Sequence, residues 1–203
     1  MESSFAARGG LKIVPILAPR IGLAWKVKNL PHVLPGLAQD AIARALGMNH
    51  IAARLYARKR TADGQWVNYG LISTQKVTTA FCEFMVDQLQ TETSAWGDFK
   101  YHDTGTGVGA EANGDTSMGT VCTEMVGDIR EVGTQIEGAT AVVYKSVATV
   151  EYDGAAAITE HGLFDDTRVA GGVLMDRSVF AAINVANGDS IEFTYQLSAT
   201  AGG

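Results

Sequence analysis

The sequence predicts a mainly β protein: an antiparallel β-sandwich with one packed helix and an extended N-terminal arm. Three observations carry this prediction. Twenty-three glycines in 203 residues exceed the usual share of about 7% and favour short strands joined by tight turns. Beyond residue 97, hydrophobic runs alternate with turn clusters such as Gly105-Thr106-Gly107, Asn113-Gly114-Asp115, Asp153-Gly154, Gly171-Gly172 and Asn187-Gly188-Asp189. Charge and proline are segregated. Residues 1–62 hold ten Lys or Arg against Glu2 and Asp40, a net of +8, while residues 63–203 hold six against twenty acids, a net of −14. All four prolines, Pro15, Pro19, Pro31 and Pro35, fall in the basic part.

This asymmetry divides the chain into a basic, proline-rich assembly arm over residues 1–47 and a sandwich domain over 48–203. The stretch LKIVPILAPRIGLAWKVKNLPHVLPG (11–36) is apolar, but its four prolines rule out a continuous helix and remove ladder donors from any strand. It is predicted to run extended along another surface, its own domain or another subunit, followed by a short helix over 37–46 that Gly47 stops. Such a segment cannot build its own core. Ile13, Ile16, Leu17, Arg20, Leu23, Trp25, Lys26 and Lys28 are therefore the candidate partner-contacting residues: apolar side chains to bury, basic ones to orient against an acidic surface.

In the sandwich domain, residues 51–61 alternate, Asp63-Gly64 marks a tight turn, and QWVNYGLIS (65–73) returns, giving a hairpin over 51–73. TAFCEFMVDQLQ (79–90) is a helix with Phe81, Phe84, Met85 and Leu89 as its apolar stripe, Thr79 as N-cap and Glu83 in its first turn. Strands follow over 97–198, at 98–103, 118–124, 129–136, 140–152, 155–163, 172–182 and 190–198. In the last, SIEFTYQLS, Ile191, Phe193, Tyr195 and Leu197 share the inward face. Asp176 and Arg177 lie on opposite faces of VLMDRSVF, each among apolar neighbours, so at least one of them should be paired.

The search for chemistry yields no catalytic, cofactor-binding or metal-ligating assignment. TGTGVGAE (104–111) has neither a GxxxxGK[ST] nor a helix-opening GxGxxG spacing and reads as a flexible surface loop. His102-Asp103 and Glu160-His161 could ligate a metal only if the fold brings them together, and no HxxxH, HExxH or CxxC occurs. The acidic stretches at Asp165-Asp166 and Glu111–Asp115 lack the oxygen spacing of a calcium-binding loop. There is no GxSxG, and Cys82 and Cys122 are expected to be buried, free thiols. Arg58-Lys59-Arg60 reads as a solvated cluster, so nucleic acid is not expected as a partner. No run reaches the roughly 20 apolar residues of a membrane span, and the N-terminus lacks the character of a signal peptide. The chain is expected to be made and kept in a cytoplasm and not to be an enzyme.

The C-terminal quarter carries a succession of motifs: TEHGLF (Thr159 to Phe164), a G-x-L-x-D-R-x-V-F strand (Gly172 to Phe180), A-I-N-V (Ala182 to Val185) and G-D-S-I-x-F-T-Y (Gly188 to Tyr195). NYGLISTQKVTT (68–79) and DFKYHDTGTGVGAEANGDT (98–116) precede them. Over residues 66–203 this pattern resembles a family of small virion structural proteins of tailed bacteriophages. The resemblance implies a capsid decoration or cement protein at the virion surface, with the major capsid protein and other copies of itself as partners. It brings no catalytic residues. Two alternatives stand beside it: a tail, fibre or head–tail connecting component, and a carbohydrate-binding module for a host surface. An apolar, proline-rich arm favours the assembly readings, because a free sugar-binding module has no need of one.

Overall fold

Alternating residues give strands such as Ser190–Thr200 an inward and an outward face, and among the described residues ten strands stack into two antiparallel sheets. The computed structural model describes residues 21–74, 76–90, 96–167 and 171–200. The strands are β1 (His50–Arg60), β2 (Trp66–Ser73), β3 (Lys76–Val77), β4 (Tyr101–Gly105), β5 (Glu131–Val132), β6 (Thr134–Glu137), β7 (Val143–Glu151), β8 (Ala156–Phe164), β9 (Leu174–Val185) and β10 (Ser190–Thr200). The first sheet has the order β2-β1-β10-β7-β6 and the second β3-β9-β8-β4-β5. The helices are α1 (Leu23–Ala45) and α2 (Thr79–Gln90). The protein is thus mainly β, an antiparallel sandwich with helical packing, as the composition and turn spacing predict.

The core forms between the inward rows. Leu55 of β1 and Ile191, Phe193 and Tyr195 of β10 meet Ile158 and Leu163 of β8 and Phe180 and Ile183 of β9. Gly64 closes the β1–β2 hairpin at φ +87°, a conformation that glycine adopts without the Cβ penalty. At α2 the cap lies one residue earlier than the sequence suggests: the Oγ of Thr78 accepts from the Phe81 N–H at 3.2 Å and donates to the Leu174 carbonyl. Phe81 is buried, edge-on to Phe99 with ring centroids 5.1 Å apart. Phe84 and Met85 pack at the margin, but Leu89 projects outward. Cys122 is buried as expected, whereas Cys82 is exposed on the outer side of α2.

Three expected elements differ. The strand expected at 129–136 breaks at Gly133 into β5 of the second sheet and β6 of the first. Residues 118–124 form no strand. A single bridge between Gly105 and Val121 ties this stretch to β4, and residues 106–130 run as a cover across the outer face of the second sheet.

The largest correction concerns the arm. Residues 1–20 lie outside the described residues, so that part of the extended-arm prediction has no structural counterpart. From Leu23 to Ala45, however, the chain is one helix with Pro31 and Pro35 inside it, not an extended strip followed by a short helix at 37–46. Both prolines are exposed, on a side where a carbonyl released by a missing N–H can be hydrated. Tertiary bonds reinforce the same turn: Thr74 donates its N–H to the His32 carbonyl at 3.0 Å and its hydroxyl to Val33 at 3.0 Å.

Helix α1 closes the β2/β9 flank of the sandwich. Asn29, buried, donates from Nδ2 to the Ile72 carbonyl of β2 (2.8 Å) and accepts the Ala181 N–H of β9 at Oδ1 (2.9 Å). One side chain thereby satisfies a backbone group on each sheet, where an open edge would otherwise need covering. Trp25 donates to the Ala182 carbonyl at 3.0 Å and stands edge-on to Tyr69. At the far end, Asp40 gathers His50 (2.6 Å), Arg54 (2.7 Å) and Arg44 (2.9 Å). Burial raises the Asp40 pKa, but the hydrogen bonds from His50 and Arg44 outweigh it and the net shift is downward.

Candidate assembly surface

Helix α1 turns Trp25, Asn29 and Asp40 to the protein and a stripe of leucines to solvent. Leu23, Val27, Leu30 and Leu34 are 76%, 55%, 45% and 54% exposed. Their spacing of four, three and four residues places them on one stripe, which exposed Ala38, Ala41 and Ala45 continue. Exposed Lys26 and Lys28 flank it. An amphipathic helix that had satisfied itself within the domain would carry the opposite arrangement.

Of the candidate contact residues, Ile13, Ile16, Leu17 and Arg20 lie outside the described residues. Leu23, Lys26 and Lys28 are on the outward side. Trp25 is not available to a partner in the same way: it turns inward and anchors the helix to its own domain. Leu30 and Leu34 belong to the stripe and were not singled out from sequence. Their signal is the helical spacing in LAWKVKNLPHVL, which a proline-based exclusion of helix conceals.

The second sheet holds the protein's densest set of chemically capable side chains, and its pleat sorts them into two groups. On the core side, His102 Nδ1 lies 2.9 Å from His161 Nε2, and His102 Nε2 lies 2.8 Å from the Ser146 hydroxyl of the facing sheet. These spacings are those of a nucleophile, a base and an orienting group. All three residues are fully buried, and the backbone at Gly133 closes over them: a Cβ placed there would fall 2.3 Å from the Ser146 oxygen. The cluster is a packed core layer with no route for a substrate. Burial lowers the His102 pKa to about 3, and burial together with neighbouring His102 holds His161 well below its ordinary value. Asp176, on the same side, is raised well above the ordinary carboxylate range by burial.

On the outer side, beneath residues 106–130, the groups are paired ions. Arg130 donates to Asp103 at 3.0 Å, lies 3.3 Å over the Phe164 ring, and donates to the carbonyls of Asp166 (2.9 Å) and Gly171 (2.6 Å). Glu160 accepts N–H groups from Gly107 (3.0 Å), Gly119 (3.0 Å) and Thr120 (2.6 Å), and two bonds from Arg177 (2.8 and 2.6 Å). Arg177 also reaches Asp115 at 3.0 Å. The predicted pairing at Asp176-Arg177 is therefore met by Arg177. The glycine run 104–111 is a pinned segment in place of the expected flexible loop, with Gly105 and Gly107 leaving room for the Glu160 carboxylate. Arg58 and Lys59 are likewise engaged, by Glu192 (2.6 Å) and Asp189 (2.5 Å).

Among the described residues no group of three or more His, Cys, Asp or Glu is arranged to hold a metal ion, and no helix is long and apolar enough to cross a membrane. No family model matches the sequence, and neither a curated protein nor a solved structure shows significant similarity to the chain.

Proposed function

We propose that this chain is a non-enzymatic structural component of a bacteriophage particle, a decoration or cement protein that binds the major capsid shell. The observation that carries the reading is the second, outward apolar face of helix α1. Its apolar stripe faces solvent, flanked by lysines, on an element held rigidly by Asn29, Trp25 and Asp40. Burying side chains of this kind is worth about 1.5–3 kcal/mol each, and a partner surface is the available way to gain it. The ionic staples at Arg130 and Glu160 suit the same role: they fix a long segment across one face without a second layer of regular structure. The motifs over 159–203 supply the class of particle. Copy number tests the proposal. Purified particles run on a stained gel should contain this chain in proportion to the major capsid protein, at hundreds of copies. A dozen copies or fewer would move it to the tail or the head–tail junction, and absence from particles would end the proposal.

A further inference from the structure

The outward stripe of α1 has a complement on the molecule's opposite flank. In each sheet order, β2 and β3 stand at the end beside α1, and β6 and β5 stand at the other end. Near that far end Val126, Ile129, Val132 and Ile136 are each between 45% and 56% exposed. Acids predominate around them: Asp128, Glu137 and Glu151 are exposed and Glu131 is half-buried, against half-buried Lys145 on β7 and Lys100 just before β4. A cleft of about 220 Å³ opens there, lined by Val126, Ile129, Glu131, Thr149 and Glu151. The two flanks thus share an apolar character and carry opposite charge.

We infer that copies of this chain associate head to tail, the outward stripe of α1 in one copy docking on the acidic, apolar edge formed by residues 126–137 of the next. Residues 21–39 hold Lys26 and Lys28 and no acid, so an α1-to-α1 contact would bring like charges together around the apolar stripe. The β5/β6 edge instead supplies carboxylates for both lysines and valine and isoleucine side chains for the leucines. Attraction between such exposed charges is screened over roughly 8 Å at physiological salt, so they set orientation while apolar burial supplies the affinity. A contact between two different patches repeats from copy to copy, closing into a ring where the rotation permits. The association fills with a second copy the same α1 stripe on which the proposed role rests, and sedimentation of the free chain reads it without a shell, so its failure leaves the copy-number test of the particle role standing.

Sedimentation velocity of the full-length chain, from micromolar to near-millimolar concentration, is the test. The unmodified protein should form species larger than a monomer. Leu30→Glu on α1 and Val132→Lys on the edge, both exposed positions, should each give monomers with unchanged circular dichroism and melting. Mixed in equal amounts, the two variants should form one-to-one dimers and nothing larger, because only one intact stripe and one intact edge can meet. Two results overturn the inference. One is an unmodified chain that stays monomeric at every concentration, as it would if its own first 20 residues covered the stripe. The other is a Val132→Lys variant that assembles normally while Leu30→Glu does not, which would assign the contact to α1 pairing with itself.

Discussion

Three dipeptides on neighbouring strands, His102-Asp103, Glu160-His161 and Asp176-Arg177, show how one sheet creates two electrostatic environments. In each, the pleat sends one side chain to the sandwich core and the other to the face covered by residues 106–130. The core receives His102, His161 and Asp176, and there the shifts run toward neutrality: histidines down, carboxyl up. The covered face receives Asp103, Glu160 and Arg177, where cation and anion meet and backbone N–H groups complete the shell. Burial is equally deep on both sides. What differs is that the covered face brings arginines to its carboxylates; even there burial outweighs Arg130 and raises the Asp103 pKa.

The largest effect should come from breaking the covered face. Glu160→Ala removes the buried partner of Arg177, leaving it Asp115 alone as counter-ion, and strips three backbone N–H groups of their acceptor. Loss of one member of a buried ion pair costs about 3–5 kcal/mol, and urea unfolding should show a loss of that size. Residues 106–121 should also become accessible to limited proteolysis before the sandwich unfolds. A variant that unfolds at the native midpoint with the loop still protected would show that the staple is dispensable.

The core side should reveal itself through pH. A histidine whose folded pKa lies below its ordinary value of 6.5 binds fewer protons in the native state than in the unfolded chain. Its contribution is fully present above about pH 6.5 and declines as pH falls toward the folded value, which for His102 is about 3. The slope is about 1.4 kcal/mol per pH unit for each such histidine. Asp176 works in the other direction: its raised pKa favours the native state as the pH falls toward the ordinary carboxylate range. Asp103, also raised by burial, acts with Asp176, so two carboxyls oppose the two histidines between roughly pH 6 and pH 4. The histidine share is read as a difference: across that window His161→Phe should lose less stability with falling pH than the unmodified protein. Identical pH profiles for the two would contradict the assignment of His161 as a neutral, buried group.

A smaller effect separates α1 from both faces. Asn29→Ala deletes two buried hydrogen bonds to strand backbones and should cost about 1–3 kcal/mol in unfolding free energy. Hydrogen exchange should quicken at Ala181, whose N–H loses its acceptor. A variant with native stability and native protection there would mean that Trp25 and Asp40 alone hold the helix.

What was legible in the sequence follows physical locality. The β1–β2 hairpin was readable because Asp63-Gly64 demands one turn geometry, and β10 because Ile191, Phe193 and Tyr195 alternate without interruption. Helix α2 was readable from its stripe, though Leu89 shows that a stripe does not say how wide the covered face is. Helix α1 was not readable: Pro31 and Pro35 are costly in a buried helix, and nothing local says that this side meets solvent. The polar layers were hidden for a different reason. His102 and His161 are 59 residues apart and meet only through the β4–β8 register. Glu160 organises residues 107–120 through backbone N–H groups, which carry no sequence signature at all. The candidate surface was legible in its charge and apolar content and illegible in its direction, since Trp25 and Leu23 point to opposite sides of the same turn.

The last and smallest effect would sharpen the contrast by its sign. Among the described residues, four buried side-chain atoms have no hydrogen-bond partner: Ser73 Oγ, His161 Nδ1, Tyr195 OH and Asp103 Oδ1. Three of them belong to the core side, where Ser73 and Tyr195 flank Leu55 in one row of the first sheet. The fourth belongs to a carboxylate whose other oxygen holds Arg130. Removing a buried polar atom that is already unpaired should therefore help the core. Tyr195→Phe keeps the ring and its packing and should stabilise the fold by about 1 kcal/mol, the scale of the desolvation penalty it relieves. Ser73→Ala should act in the same direction. The urea midpoint should rise at unchanged slope, opposite in sign to Glu160→Ala only one sheet away. A loss of similar size in Tyr195→Phe would mean that its hydroxyl is bonded in solution. The core layer would then be a connected network like the covered face, and the contrast between them would reduce to charge alone.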